Sequence, residues 1–266
     1  GGVVDTALSV DDPSLTPLFA PLEQPAAQLA SSFGDRDLAV LWLRDSAVVA
    51  ENLRRLGARA VIAAPSRPAA GSRRHAADYL LDTLAPVLNG RPLGPQPCHP
   101  RVALSAAQRA YAGRFWRRHG LVGRRIAAVH PGSGGRWKCW PAARFAALAD
   151  LLAGRGMAVL LVAGPADDEA AGAFAAALRV AQPVMVSGFA VADLAAVLAL
   201  CAVFVGNDSG ASHLAAAVGV PTVAIYGPTD PLVWGVRGER VALVQGKTLE
   251  AVAVGEVEQA VDAVLL

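Results

Sequence analysis

Short apolar runs alternate with longer runs of helical length along the second half of the chain. Near-continuous apolar runs of this kind are typical of strands that are buried on both faces. They lie at residues 124–130, 157–164, 183–188, 202–207 and 221–227. The runs between and after them predict helices at residues 141–154, 167–180, 191–201, 210–219 and 257–266. Because right-handed crossovers join such strands, the alternation predicts a doubly wound, Rossmann-like α/β domain with a parallel sheet.

The first half of the chain has the same alternation in a weaker form. Residues 37–43 and 58–65 predict strands, and residues 46–57 and 73–88 predict helices. The segment Asn89–Arg101 is rich in proline and glycine, which predicts a linker or an irregular surface crossing.

These patterns predict two domains. A helix at 105–120 leads into the second domain, so the boundary is placed near residue 122. The N-terminal Rossmann-like domain then spans residues 1–122, the second domain spans residues 123–250, and a last helix lies within residues 251–266.

The composition narrows the class of protein. Hydrophobic residues make up 54% of the chain, which is ample for packed cores, and a net charge of +2 excludes a polybasic nucleic-acid binder. The longest apolar run, Leu194–Val205, is too short to span a bilayer, and the first residues lack a signal-peptide pattern. Cys98, Cys139 and Cys201 form no CxxC pair, so neither a disulfide scaffold nor a zinc site is expected, and a reducing cytoplasm fits.

In doubly wound domains, ligands bind beyond the carboxyl ends of the strands, and three polar loops fall there. The first loop, His130–Pro141, reads HPGSGGRWKCWP. Its glycines, Gly134 among them, allow backbone N–H groups to approach an anion. Arg136 and Lys138 add positive charge, and Ser133 adds a hydroxyl. The spacing matches neither the dinucleotide-binding nor the Walker pattern, so the loop is either an anion site of another kind or a glycine-rich turn with solvated charges.

The second loop lies between a predicted strand and the helix at 210–219. Asp208 or Ser209 can cap that helix, and Gly210 lets the turn tighten. The N–H groups of the first helical turn form an anion site with the helix dipole behind them, and His213 can face the same ligand. The alternative is a capped helix whose histidine is satisfied in the core. The concentration of these residues at the end of a buried strand favours the ligand site.

Two further candidates follow the neighbouring predicted strands. Asp167, in the third loop, could accept hydrogen bonds from ribose hydroxyls, although capping of the helix at 167–180 is the default interpretation. Phe189 follows the strand at 183–188, where its ring could lie against a base or belong to the ordinary core.

Other chemistries agree less well with the sequence. No GxSxG elbow surrounds Ser133 or Ser209. Asp208, Ser209 and His213 lie on one turn, which rarely yields an in-line catalytic relay. No histidine cluster has metal-ligand spacing. We therefore expect neither a metal nor a cofactor.

These loops, in this order, resemble the heptosyltransferases of glycosyltransferase family 9. The resemblance is clearest over His130–Pro231, where HPGSGGRWKCWPAARFAALA resembles the family's phosphate loop with Lys138 at its donor-binding lysine. The family pattern Asp-(Ser/Thr)-Gly-x-x-His falls on residues 208–213. Phe189 stands at the family's base-contacting position, and YGPTDP, Tyr226–Pro231, is also characteristic of the family.

The resemblance implies a GT-B-like α/β architecture, with two Rossmann-like domains that face a cleft. Family members begin with a strand and a glycine-containing loop that carries an aspartate, the proposed general base. No such element precedes Gly1, so we expect either a truncated chain or an incomplete N-terminal domain, and no catalytic residue is assigned. The candidate donor-binding residues are Ser133, Gly134, Arg136, Lys138, Asp167, Phe189, Asp208, Ser209, Gly210 and His213.

The implied reaction is an inverting, metal-independent transfer of a sugar, heptose, from ADP-heptose to a lipopolysaccharide-core or related glycan acceptor. An acceptor lodged in a membrane would imply peripheral contact with the inner face of the inner membrane. Two alternatives stay open. One is a nucleotide-sugar-binding pseudo-enzyme or fragment without the general base, and the other is a GT-B-like sugar-nucleotide epimerase or hydrolase.

The central expectation is geometric. Lys138 and Lys247 are the only lysines among 24 basic residues. In a chain that otherwise uses arginine, a lysine suggests a position that needs a compact charge on a flexible side chain. We expect the Lys138 amine and the helix that begins near Ser209 to converge on one pyrophosphate. Asp208 would serve sugar hydroxyls and the geometry of its own loop.

Overall fold

The computed structural model describes residues 5–22, 27–88 and 99–266. The chain divides into two compact units, Gly2–Cys98 and His99–Leu266. Within the described residues no helix is both long enough and apolar enough to cross a membrane.

The described part of the N-terminal unit has a two-stranded parallel sheet with short helices. Its elements are a 3-10 helix (Pro13–Phe19), α1 (Ala27–Phe33), β1 (Leu38–Trp42), α2 (Ala47–Arg55), β2 (Ala60–Ala64), α3 (Ala76–Asp82) and α4 (Ala85–Leu88). The predicted strand–helix–strand–helix order is confirmed. The single helix predicted at 73–88 is instead two helices, because Pro86 has no N–H to donate to the carbonyl of Asp82.

A buried asparagine holds the first elements of this unit together. The amide of Asn52, in α2, donates to the carbonyls of Leu18 and Ala20 at 3.0 and 2.8 Å. Its side-chain oxygen accepts from the N–H of Leu22 at 3.3 Å. Three backbone groups at the end of the 3-10 helix therefore depend on one side chain for hydrogen bonds.

The C-terminal unit is built on a six-stranded parallel sheet. The strands are β3 (Ile126–His130), β4 (Ala158–Ala163), β5 (Val184–Ser187), β6 (Val203–Asn207), β7 (Thr222–Tyr226) and β8 (Val241–Gln245). Their order in the sheet is β5-β4-β3-β6-β7-β8, which is the Rossmann order with its reversal between β3 and β6. β8 is a half-buried edge strand that was not predicted, although its sequence VALVQ begins with four consecutive apolar residues.

Helices cover both faces of this sheet. They are α5 (Ala106–Arg118), α6 (Ala142–Gly154), α7 (Asp168–Ala177), α8 (Val191–Leu198), α9 (Gly210–Ala217), α10 (Pro231–Trp234) and α11 (Val254–Leu265). Alternate residues of β3 face opposite cores: Ala127 and Val129 pack with α6, α7 and α11, whereas Ile126 and Ala128 pack with α5, α8 and α9. α5 therefore belongs to the C-terminal unit, although its sequence position before residue 122 assigned it to the first domain.

Candidate functional site

The candidate site lies where the strand order reverses. After β3 the chain turns to α6 on one face of the sheet, and after β6 it turns to α9 on the other face, which opens a crevice between the two loops. A cavity of about 420 Å³ lies in this crevice. Its wall includes six of the predicted donor-binding residues: Ser133, Gly134, Asp167, Phe189, Ser209 and Gly210.

Asn207, the last residue of β6, holds the loop after β3 in place. It is fully buried. Its amide donates to the carbonyls of Pro131 and Gly132 at 2.9 and 3.0 Å, and its side-chain oxygen accepts from the N–H of Trp140 at 2.8 Å. Asn207 was not among the predicted site residues, although an asparagine that ends an apolar strand is a usable signal. It ties both ends of the loop to the neighbouring strand.

The far end of the same loop is fastened to the C-terminal segment. The indole N–H of Trp140 donates to the carbonyl of Val252 at 3.0 Å. The guanidinium of Arg144, in the first turn of α6, donates to the same carbonyl. The start of α6 is thereby fixed against the residues that lead into α11.

Lys138 reaches from this loop to the start of α9. Its amine lies 2.7 Å from a carboxylate oxygen of Asp208, with side-chain exposures of 26% for Lys138 and 10% for Asp208. Ser133 contacts the same residue, since its hydroxyl donates to the Asp208 carbonyl at 2.8 Å. The structure therefore brings the lysine and the helix start together. The ion pair with Asp208 is a contact that the sequence did not indicate.

The predicted cap on α9 is wrong for Ser209. Ser209 occupies the N-cap position, but its hydroxyl makes no capping hydrogen bond. The hydroxyl oxygen lies instead 3.2 Å from His130 Nδ1 and 3.4 Å from Ser212 Oγ. The N–H groups of Ser212 and His213 donate to the Ser209 carbonyl at 3.2 and 3.3 Å, so the absence of a side-chain cap leaves those of Gly210 and Ala211 open to another acceptor.

The predicted role of Gly210 in tightening the turn is also wrong. Its backbone is outside the left-handed region, so no glycine is required on conformational grounds. A Cβ atom built at Gly210 meets no other atom within 4 Å. The glycine thus leaves open space at the cavity wall.

A buried histidine and a buried aspartate lie beside this helix start. His130 Nε2 is 2.9 Å from Asp167 Oδ2, and both side chains are less than a tenth exposed. Asp167 Oδ2 also accepts from the N–H of Gly164 at 2.6 Å. The pKa of Asp167 is lowered, first because His130 hydrogen-bonds to it and then because of the Gly164 N–H, against the opposing effect of burial. His130 opened the predicted loop but was not named as a site residue.

Asp167 does not cap α7, which corrects the default interpretation of this residue. It occupies the N-cap position, yet its side chain makes no capping hydrogen bond because the carboxylate turns inward to His130. Gly132 explains how the carboxylate fits. A Cβ atom at Gly132 would lie 2.0 Å from Asp167 Oδ1, so only glycine allows this close approach.

The remaining candidates lie at the margins of the site. Arg136 is mostly exposed and pairs with Glu169, so its charge already has a partner. His213 is exposed on the first turn of α9. Phe189 lies on the cavity wall and also packs edge-to-face against Tyr111 and Phe115, with ring centroids 5.9 and 5.6 Å apart. Both interpretations of Phe189, as core residue and as wall of a ligand site, therefore agree with its position.

Comparison with known proteins adds a family match. The family model described as glycosyltransferase family 9 (heptosyltransferase) matches residues 85–260. Lipopolysaccharide heptosyltransferase 3 of Escherichia coli is 31% identical over 134 residues, which is 47% of this chain and 39% of that relative. The matched part of the chain thus spans about two-fifths of that relative's length.

Two solved structures resemble most of the chain in fold. The glycosyl transferase family 9 structure from Veillonella parvula has a TM-score of 0.79 at 21% identity, covering 95% of this chain and 78% of that one. The E. coli ADP-heptose lps heptosyltransferase II has a TM-score of 0.66 at 23% identity, covering 89% and 78%. These likenesses confirm the predicted fold class, a GT-B-like α/β fold with parallel sheets.

Proposed function

The chain belongs to glycosyltransferase family 9, and from that membership we propose that it transfers heptose from ADP-heptose to a lipopolysaccharide-core acceptor. One observation carries the proposal: Lys138, Ser133 and the start of α9 meet at the point where the strand order reverses. In open α/β sheets, phosphate-bearing ligands bind at such a point. The names of the E. coli relatives, which include lipopolysaccharide and ADP-heptose, support the choice of donor and acceptor.

The donor diphosphate is assigned to the crevice between the two loops. The N–H groups of Gly210 and Ala211, which the Ser209 side chain does not cap, and the dipole behind them favour an anion, and the Lys138 amine supplies a full positive charge beside them. Asp208 holds this amine in place, so the lysine is ordered before the donor arrives. Such preorganised donors are most effective where charge develops in the transition state, which here is on the departing ADP.

We place the adenine and the heptose of the donor on opposite sides of the diphosphate. Phe189 offers its ring as a wall against adenine, and Arg136 and His213 complete the donor set at the rim. The Asp167 carboxylate is engaged by His130 and Gly164, so we assign it an indirect role through His130.

The proposed reaction is an inverting displacement without a metal. The acceptor hydroxyl oxygen forms a bond to the anomeric carbon of the heptose on one face, while the bond from that carbon to the ADP oxygen breaks on the other. The hydroxyl proton passes to a general base, for which no residue of this chain is assigned. The groups around Lys138 stabilise the charge that ADP gains.

A transfer assay tests this function against its alternatives. ADP-heptose carrying a labelled sugar is incubated with the protein and with lipopolysaccharide that lacks core heptose. Labelled lipopolysaccharide is the expected result. Binding of ADP-heptose without transfer would instead indicate a binding pseudo-enzyme, and consumption of ADP-heptose without acceptor would indicate a hydrolase or epimerase. Absence of binding would overturn the donor site itself.

Gly210→Ala separates stability from donor binding. Since the new methyl meets open space and alanine favours helices, the free energy of unfolding should stay the same or rise by about 0.5–1 kcal/mol. ADP affinity should fall, because the methyl projects at the wall of the proposed donor crevice. Thermal melting and calorimetric titration with ADP measure the two effects. Gly172→Ala, in α7 and also without close neighbours, is the matched control and should leave ADP affinity unchanged.

A further inference from the structure

The Ser209 hydroxyl has one proton, and three acceptors lie within reach of it. One is His130 Nδ1 at 3.2 Å, and another is Ser212 Oγ at 3.4 Å. The third is any ligand oxygen in the cavity, whose wall includes Ser209. Ser212 cannot donate in return, because its own proton goes to the carbonyl of Asn207 at 2.5 Å. The direction of the Ser209 proton therefore depends on what His130 requires.

Asp167 determines which nitrogen of His130 carries a proton. Its carboxylate lies 2.9 Å from Nε2 and can only accept when ionised, so neutral His130 has its proton on Nε2 and a bare lone pair on Nδ1. Nδ1 then takes the Ser209 proton. In this state the lone pairs of Ser209 Oγ, rather than its proton, are available to the cavity, which disfavours a phosphate oxygen.

Protonation of His130 reverses this hydrogen bond. Nδ1 then carries a proton and donates to Ser209 Oγ, which frees the hydroxyl proton for a ligand. We propose that His130 is a positioning residue that turns the Ser209 hydroxyl toward the donor diphosphate, so that binding of the diphosphate is coupled to uptake of one proton. This inference rests on the proposed function, because it takes the cavity to be the diphosphate site.

Other titratable groups surround the same loops. Lys138 is paired with Asp208, Arg136 with Glu169, and Asp168 begins α7. Carboxylates and strongly basic groups remain ionised between pH 6 and 8.5. Burial raises the pKa of Cys139, which keeps its thiol protonated in that range. His213, on the first turn of α9, is a second imidazole near the same helix start, so the test includes a variant that separates its effect from that of His130.

The sign of the pH dependence follows from the Ser209 hydrogen bond. Ser209 can donate to the diphosphate only when His130 Nδ1 carries a proton, so diphosphate binding and protonation of His130 favour each other. Affinity is therefore greatest at low pH and falls as the pH rises. The loss should be about tenfold or more, as expected for one hydrogen bond to a charged group.

Calorimetric titration with ADP-heptose between pH 6 and 8.5 tests the inference. The diphosphate of this donor is esterified at both ends and has no group that titrates in this range, whereas ADP does. Titrations in PIPES and in Tris, whose ionisation enthalpies differ, give the number of protons taken up. We expect uptake that approaches one proton and affinity that rises as the pH falls.

Three variants test which residues cause the pH dependence of binding. Ser209→Ala should bind weakly at every pH with no proton uptake. Asp167→Asn, which keeps the shape but removes the charge that stabilises imidazolium, should move the pH profile to lower pH. His213→Gln, which removes a group at the rim of the donor site, should lower affinity by the same factor at every pH and keep the proton uptake. A pH-independent affinity of the parent protein, an unchanged profile in Ser209→Ala, or loss of the profile in His213→Gln would overturn the inference. If the parent protein binds no ADP-heptose at any pH, the proposed function fails instead.

Discussion

Replacing Lys138 with alanine is expected to lower the rate of sugar transfer by about a hundred- to a thousandfold, the usual cost of removing one preorganised donor to developing negative charge. The amine lies at the start of α9, where the departing diphosphate is assigned, and no other lysine lies in that loop. Steady-state rates with ADP-heptose, together with calorimetric ADP affinity, measure the effect.

The chain provides a matched control for this variant. Lys247 is the other lysine, is exposed, and follows β8 at the edge of the sheet. Lys247→Ala removes the same charge and should leave both the transfer rate and ADP affinity within about twofold of the parent. Equal losses in the two variants, or no loss in Lys138→Ala, would contradict the assignment.

The ion pair with Asp208 adds an effect on stability. Lys138→Ala leaves a carboxylate of 10% side-chain exposure without its cation, so the free energy of unfolding should fall by about 1–3 kcal/mol. The double variant Lys138→Ala/Asp208→Asn removes that unpaired charge and should recover part of the stability but none of the activity. Chemical denaturation of the single and double variants separates the two effects.

Asn207→Ala should be the most destabilising substitution at the site. It leaves the N–H of Trp140 and the carbonyls of Pro131 and Gly132 without their partner in the core. Since each unsatisfied buried group costs about 1–3 kcal/mol, the free energy of unfolding should fall by about 3 kcal/mol or more. ADP affinity should fall with it, because the loop that carries Lys138 loses its attachment to β6. Denaturant unfolding and calorimetry report the two losses.

Asn52→Ala is the control for that experiment. Asn52 is also buried and also gives hydrogen bonds to three backbone groups, but in the N-terminal unit. Its substitution should destabilise that unit by a similar amount and leave ADP affinity unchanged under native conditions. Loss of ADP affinity in Asn52→Ala alone would show that the donor site does not depend on the loop attachment at Asn207.

Hydrophobic periodicity is enough to predict most of the C-terminal sheet. β3, β4, β6 and β7 are buried at all positions, and no polar residue interrupts the interior of their sequences; His130, Asn207 and Thr222 stand at strand ends. β8 was not predicted, although it has four consecutive apolar residues and β5, the other edge strand, was predicted from fewer. Hydrophobic periodicity also does not show which unit α5 belongs to, because α5 packs against α8, a helix distant from it in the sequence.

The features of the site also differ in how far local sequence predicts them. The loop positions of Lys138 and Ser209 follow from the strands that precede them, which is local information. The caps do not, because Ser209 and Asp167 each lose their local hydrogen bond to the same distant partner, His130. Local side-chain preferences predict a cap wherever serine or aspartate begins a helix. Here the buried His130 competes with the helix N–H groups for the side chains of Ser209 and Asp167, and the sequence alone does not indicate this competition.

The carbonyl of Val252, which is more than 100 residues after Trp140 in the sequence, helps to hold the start of α6 in place. It receives both the Trp140 indole and the Arg144 guanidinium, and Trp140 is also bound by Asn207 through its backbone. A recombinant fragment of this unit that stops before Val252 would lose the acceptor for both donors, together with the valines of α11 that fill the adjoining core. A fragment designed to express the C-terminal unit by itself should therefore extend through Leu265, the last residue of α11.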